Sequence, residues 1–143
     1  MGSTSDESKM SKAKETLEEF GIEYEWKVLS AHRNPDKVVN LVSTARENGF
    51  VAFICGAGMA AHLAGVVAAH TTLPVVGVPL SGGALNGQDA LYATVQMPKG
   101  VPVATVAIEG SQKAALLVLQ IIAITNTDIA EKLRIYKEEM ANR

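Results

Sequence analysis

One cysteine, Cys55, excludes an internal disulfide, because a bridge needs two thiols. Its place in an apolar, strand-like run fits a reducing cytoplasm. Neither sign of charge dominates: 13 Lys and Arg face 15 Asp and Glu, a net charge of −2. Without a basic field, no affinity for nucleic acid or an anionic membrane is expected. No apolar run reaches the about 20 residues of a membrane span, and nothing reads as a signal peptide. The chain therefore reads as soluble and cytoplasmic. Three His and a lone Cys, with no acidic cluster beside them, argue against a metal site. No nucleophile comes with a recognisable base and orienting group, which disfavours covalent catalysis.

What is present is enough for one domain over residues 1–143, with 48% hydrophobic and 20% charged residues. The chain alternates between helix and strand patterns. Ser5-Asp6 is placed to cap a helix running to about Phe20, which Gly21 stops. Glu23 to Ser30 reads as a strand, and Pro35 opens a second helix that Asn48-Gly49 ends. Val51 to Cys55 reads as a buried strand, Gly56 to Gly58 as a turn, and Ala60 to His70 as a helix of small residues. Leu73 to Val78 and Val101 to Ile108 read as strands, with a helix from about Gly87 to Val95 between them. Ser111 starts a long helix to Ile124, and Asp128 caps a last one to Ala141.

Apolar strands alternating with helices imply a parallel sheet covered on both faces. The expected class is α/β, a three-layer αβα sandwich with a parallel, flavodoxin-like sheet. A phosphate-type loop at Gly2-Ser3 normally follows a strand, yet only Met1 precedes it. The expectation is that upstream residues supply this first, central strand, and that a chain truly starting at Met1 is unstable or inactive. Residues 114–124 are apolar on nearly every helical face, so a neighbouring subunit is the expected cover. The helix over 128–141 is then expected to pack on that neighbour.

Chemistry concentrates at the ends of the strands, where parallel sheets bind ligands. Ser30, Ala31, His32 and Arg33 form a strand-to-helix turn carrying a hydroxyl, a group titrating near neutrality and a fixed cation. Arg33 suits a phosphate or carboxylate, and His32 suits proton exchange. Ser3, Ser5 and Asp6 stand at a helix N-terminus that favours an anion, with Asp6 suited to a sugar hydroxyl. Gly56, Ala57 and Gly58 lead to His62 and Leu63 without the third Gly of a dinucleotide loop or the Lys of a P-loop. Neither NAD nor ATP is indicated. Small residues there instead let a flat ligand lie against backbone. The loop from Leu80 to Asp89 is free to close over the site or touch another subunit.

Four motifs in order resemble a known family: Gly2-Ser3-x-Ser5-Asp6, Ser30-Ala31-His32-Arg33-x-Pro35, Gly56-Ala57-Gly58-x-Ala60-Ala61-His62-Leu63, and Val95-Gln96-Met97-Pro98-x-Gly100 with the Val101 to Thr105 run after it. Together they look like the 5-(carboxyamino)imidazole ribonucleotide mutases of purine biosynthesis, along essentially the whole chain. The resemblance implies a cofactor-free isomerase that moves a carboxylate from the exocyclic nitrogen of an aminoimidazole ribonucleotide to ring carbon C4. It implies that Ser3, Asp6 and Arg33 bind the ribonucleotide, while Ser30 and the Gly56 to Leu63 loop complete the pocket. His32 becomes the proton carrier and His62 a second pocket residue. It also implies a homo-octamer with sites between subunits, and CO₂ as a transient partner. Met59, Ala64 and Asn34 depart from the usual Gly, Pro and Thr of the family. A sister class that carboxylates with CO₂ directly tends to carry Lys for the Arg and to lack the following His. Arg33 and His62 favour the mutase over that class. A non-catalytic, flavodoxin-like nucleotide-binding module is the alternative from another class, and it has no need of His32.

Overall fold

A computed structural model describes residues 1–142. Three strands form one parallel sheet in the order β1 (Phe53–Gly58), β2 (Val75–Leu80) and β3 (Ala104–Thr105). Among the described residues six α-helices surround it: α1 (Glu7–Phe20), α2 (Pro35–Ser43), α3 (Leu63–Ala69), α4 (Gln88–Val95), α5 (Ser111–Ala123) and α6 (Thr127–Ala141). The expected three-layer α/β architecture with a parallel, flavodoxin-like sheet is present.

Successive side chains of β2 point to opposite faces, and the two cores follow from this. Val76, Val78 and Leu80 pack with Met10 of α1 and with Ala114 and Val118 of α5. Val75, on the other side, joins Val38 and Val42 of α2 and Leu63, Ala64 and Val67 of α3. Gly77 is small because Thr94 of α4 and Val103 crowd its Cα. The middle strand is buried at every position, as a sheet covered on both faces requires.

A third cluster closes α1, α5 and α6 together. Leu17, Phe20, Leu119, Ile129 and Leu133 meet there, with Phe20 edge-on to Tyr136 at 6.0 Å. Lys132 reaches back to donate to the Phe20 carbonyl at 2.9 Å. The buried side of α6 thus rests on its own chain, while Ile135 and Met140 stay outside. In α5, Ala114, Ala115, Val118 and Leu119 are buried, Leu116, Leu117 and Ile121 are half-buried, and Ile124 is exposed just beyond the helix.

Several element ends differ from the sequence reading. The first helix is preceded by a 3₁₀ turn over Thr4–Asp6, capped by Ser3 rather than by Ser5 or Asp6. The last helix takes its cap from Asn126, whose Oδ1 accepts from the Ile129 N–H at 3.1 Å. Helix α2 stops at Ser43, before Asn48-Gly49, and a run of turns fills the interval. Gly56 to Gly58 belongs to β1 instead of forming a turn, because all three residues pair with Val78 to Leu80. Helix α3 starts only at Leu63. The Val101 to Ile108 strand shrinks to two paired residues.

Glu23 to Ser30 is not a hydrogen-bonded strand. Its side chains nevertheless alternate, with Ile22, Tyr24 and Trp26 half-buried and Glu23, Glu25 and Lys27 exposed. Only its end is paired. The Met1 nitrogen donates to the Lys27 carbonyl, and the Leu29 N–H donates to the Met1 carbonyl, both at 2.9 Å. These two bonds are one step of a parallel ladder between Met1 and Val28. On the other side, the Gly2 N–H donates to the Gly56 carbonyl at 3.2 Å. Met1 and Gly2 therefore occupy a lane between this stretch and β1. Behind them the lane is a cavity of about 410 Å³, lined by Tyr24, Trp26, Ile54 and Cys55 among others. A strand needs a backbone partner along its length, and among the described residues the Glu23 stretch is paired in this way at Met1 alone.

Candidate active site

Three segments converge at the carboxyl end of β1. The first is the N-terminal loop, where the Ser3 hydroxyl accepts from the Ser5 N–H at 3.3 Å and from the Ser5 hydroxyl at 2.9 Å. The Asp6 N–H donates to the Ser3 carbonyl at 3.1 Å and the Glu7 N–H to the Thr4 carbonyl, so the turn closes on itself at the start of α1. Asp6 is half-buried and caps nothing, so among the described residues its carboxylate is an uncommitted acceptor.

The second segment is the turn from Ser30 to Pro35. Ser30 is buried, and its hydroxyl accepts from the Arg33 N–H at 3.2 Å. Asn34 Oδ1 accepts from the Ser30 N–H at 3.4 Å, and the Asn34 N–H donates to the Ser30 carbonyl at 2.9 Å. Ala31 packs inward with the α2 and α3 core. This local closure turns His32 and Arg33 outward, and both are exposed. Arg33 Nη2 donates to the Gly2 carbonyl at 2.8 Å, which ties the turn to the N-terminal loop and sets the guanidinium beside it.

The third segment is Gly56 to Leu63. A Cβ on Gly56 would run into the Met10 thioether, so only glycine lets α1 lie this close to the strand. A Cβ on Gly58 would sit 3.3 Å from the Leu80 carbonyl oxygen. Ala57 and Leu63 pack into the α2 and α3 core. Met59 takes a left-handed φ of 50° and is 59% exposed. His62 immediately precedes α3 and is exposed.

Two of these segments meet through their imidazoles. His32 Nε2 lies 2.7 Å from His62 Nδ1, and the ring planes cross at 85°. One ring donates and the other accepts, so a single proton serves the contact. The structure sets His32 against His62 and ties Arg33 to the Gly2 carbonyl, next in the chain to Ser3, Ser5 and Asp6. Ser30, Ala31 and Leu63 sit beneath as support. Ala57 likewise faces the core.

Cys55, next to this loop, is buried, and burial pushes its thiol up to about 12. Among the described residues no group of three or more His, Cys, Asp or Glu is placed to hold a metal ion.

Sequence reasoning missed the Gly2 carbonyl as the Arg33 acceptor, Met10 as the side chain that dictates Gly56, and the closeness of the Leu80 and Ser81 carbonyls to Gly58. Each is a long-range contact with no local signal, although the run of glycines at 56 and 58 did announce a close approach.

A family model described as AIR carboxylase matches residues 1–143. The N5-carboxyaminoimidazole ribonucleotide mutase of Pyrococcus abyssi is 52% identical over 140 residues, spanning 98% of this chain and 80% of the relative. The mutase of the same name from Bacillus subtilis is 53% identical over 135 residues, spanning 93% of this chain and 83% of the relative. The crystal structure of PurE from Treponema denticola superposes with a TM-score of 0.88 at 29% identity, covering 99% of this chain and 89% of that one.

Proposed function

The chain belongs to the AIR carboxylase family, and from that membership we propose that it isomerises N5-carboxyaminoimidazole ribonucleotide to 4-carboxy-5-aminoimidazole ribonucleotide in purine biosynthesis. The observation that carries this reading is the His32 imidazole, 2.7 Å from His62 and next to an Arg33 anchored on the Gly2 carbonyl.

The reaction breaks the bond between the exocyclic nitrogen and the carboxylate carbon. The electron pair stays on nitrogen, which takes a proton from the His32 ring, and CO₂ is released. Carbon C4 of the electron-rich imidazole then attacks that CO₂. The new C–C bond forms as the C4 proton passes back to His32. Atoms and charge balance across the two steps, and one imidazole can give the proton in the first and take it back in the second. Keeping the CO₂ in place makes the recapture effectively intramolecular, which is worth several kcal/mol.

In this reading the Ser3 and Ser5 hydroxyls at the start of the first helix hold the phosphate, with Arg33 as its cation. Asp6 accepts from a ribose hydroxyl. Gly56, Ala57 and Gly58 give the base a flat wall, and His62 orients His32 through the shared proton. The protein acts as a cytoplasmic homo-octamer whose subunits complete one another's sites. Large apolar side chains left exposed on one chain, among them Tyr92 at 64% and Val95 at 49%, support such an assembly.

The test is direct. Purified protein is mixed with the carboxyamino ribonucleotide, without ATP, and the C4-carboxylated product is followed. Formation of product only from aminoimidazole ribonucleotide plus CO₂ would move the protein to the direct carboxylases. His32→Asn is expected to lose turnover while keeping ribonucleotide affinity, and a binding module would show no turnover to lose.

A further inference from the structure

Behind the pocket, the loop from Ser81 to Gly87 leaves the end of β2 under unusually full constraint. The Ser81 N–H donates to Glu109 Oε1 at 2.9 Å, and the Ser81 hydroxyl donates to the same oxygen. The Ser81 carbonyl accepts from Lys9 Nζ, which itself lies 3.7 Å from Glu109 Oε1. All the polar groups of Ser81 are therefore engaged by two charged residues from distant parts of the chain. Lys9 stands in the first turn of α1, the helix that follows Ser3, Ser5 and Asp6. Its own carbonyl accepts from the buried Ser111 hydroxyl at 2.8 Å, so α1 is fixed to the start of α5 at this point.

Glu109 is held there against its backbone preference. Its φ is +60°, in the left-handed region where glycine is the unstrained residue. Its N–H donates to the Pro79 carbonyl at 2.9 Å, which pins the turn to β2. Partial burial pushes the carboxyl up, but the Ser81 hydrogen bonds and Lys9 outweigh it and hold the group below the usual carboxylate range. Strain of this kind persists where the side chain has a task that glycine could not do.

The far side of the clamped loop touches the pocket wall. A Cβ built on Gly58 would meet the Leu80 and Ser81 carbonyl oxygens at 3.3 and 3.8 Å, and one built on Gly83 would meet Met59 Sδ at 3.5 Å. Gly58 and Met59 lead directly to His62. We infer that Lys9 and Glu109 are positioning residues, a charged clamp on Ser81 that fixes the Gly58 to His62 wall against the N-terminal loop. The clamp joins both halves of the pocket without touching the substrate, and it rests on the substrate assignment made above. Charge-assisted bonds to backbone suit such a role, since they are directional where a bare surface ion pair is not.

The decisive variant is Glu109→Gly, which removes the carboxylate and also relieves the backbone. Tm is expected to stay level or rise. Amide exchange at residues 81–86 of the full-length, ligand-free chain is expected to quicken at least fivefold, with β2 and α5 unchanged. KM for the carboxyamino ribonucleotide is expected to rise about three- to tenfold, with kcat within twofold. Lys9→Met is expected to give the same KM rise, and Lys9→Arg to restore wild-type values within twofold. Wild-type exchange and KM in Glu109→Gly would overturn the clamp, as would a KM loss that simply follows a lowered Tm. An inactive wild-type protein would refute the substrate reading alone, because the exchange measurement needs no substrate.

Discussion

His32 and His62 meet nitrogen to nitrogen at 2.7 Å across 30 residues of chain, with ring planes 85° apart. The perpendicular approach aims the Nδ1 of one ring at the edge of the other, as a single shared proton requires. Removing His62 therefore leaves His32 in place but free to turn. For His62→Asn the expected result is a drop in kcat of about 10- to 100-fold, a fraction of what a general acid–base group contributes. Ribonucleotide affinity, measured by calorimetry, is expected to stay within threefold. An unchanged kcat would show that the contact has no part in the proton transfer.

Met59 occupies a left-handed φ of 50° on the pocket wall. A side chain there costs about 1–2 kcal/mol, partly offset by the greater freedom of glycine in the unfolded chain. Met59→Gly is thus expected to stabilise the protein by about 0.5–1 kcal/mol, a Tm increase of about 2–4 °C. Scanning calorimetry is the check, and a lower Tm would mean that the exposed thioether packs to some purpose.

Burial raises the Cys55 thiol to about 12, so almost no thiolate exists at neutral or mildly alkaline pH. The thiolate is the reactive form. Disulfide reagents at pH 8 are expected to leave Cys55 untouched in the native protein and to modify it at once in denaturant. Fast native-state modification would place the thiol in contact with solvent through the cavity that it lines.

That cavity, about 410 Å³ in volume, is lined by β1 and by the stretch from Ile22 to Leu29. Its mouth already holds one parallel ladder step at Met1. Joining an extended segment of about six alternating β-branched residues ahead of Met1 is expected to fill it. Each apolar side chain buried there is worth about 1.5–3 kcal/mol before entropy, so Tm is expected to climb by more than 5 °C. Slower amide exchange in residues 23–28 would confirm the pairing. A Tm that does not move would show that the lane cannot take a strand.

Much of this molecule was legible from local pattern. Gly21 stops α1 in a left-handed conformation at φ 75°, Pro35 opens α2, and Ser111 opens α5, all as read. The turn residues His32 and Arg33 were equally visible, because a strand end followed by Pro leaves few places for them. Pairing was not. The Glu23 stretch alternates with period 2 as far as Lys27, but a strand is a relation between two backbones, and the sequence shows only one of them. The same blindness placed Gly56 to Gly58 in a turn, since glycines that admit a neighbouring helix look like glycines that bend the chain. The clamp at Ser81 depends on Lys9 and Glu109, which are 100 positions apart, and no window of sequence contains both.

Met10 against Gly56 carries a consequence for how such a chain can change over generations. The thioether of one fills the space that any side chain on the other would claim. The two sites thus share one allowance of volume: alanine at 56 requires the Met10 side chain to move aside or to shrink first. Gly56 beside a smaller residue at position 10 is the intermediate through which change in either direction passes.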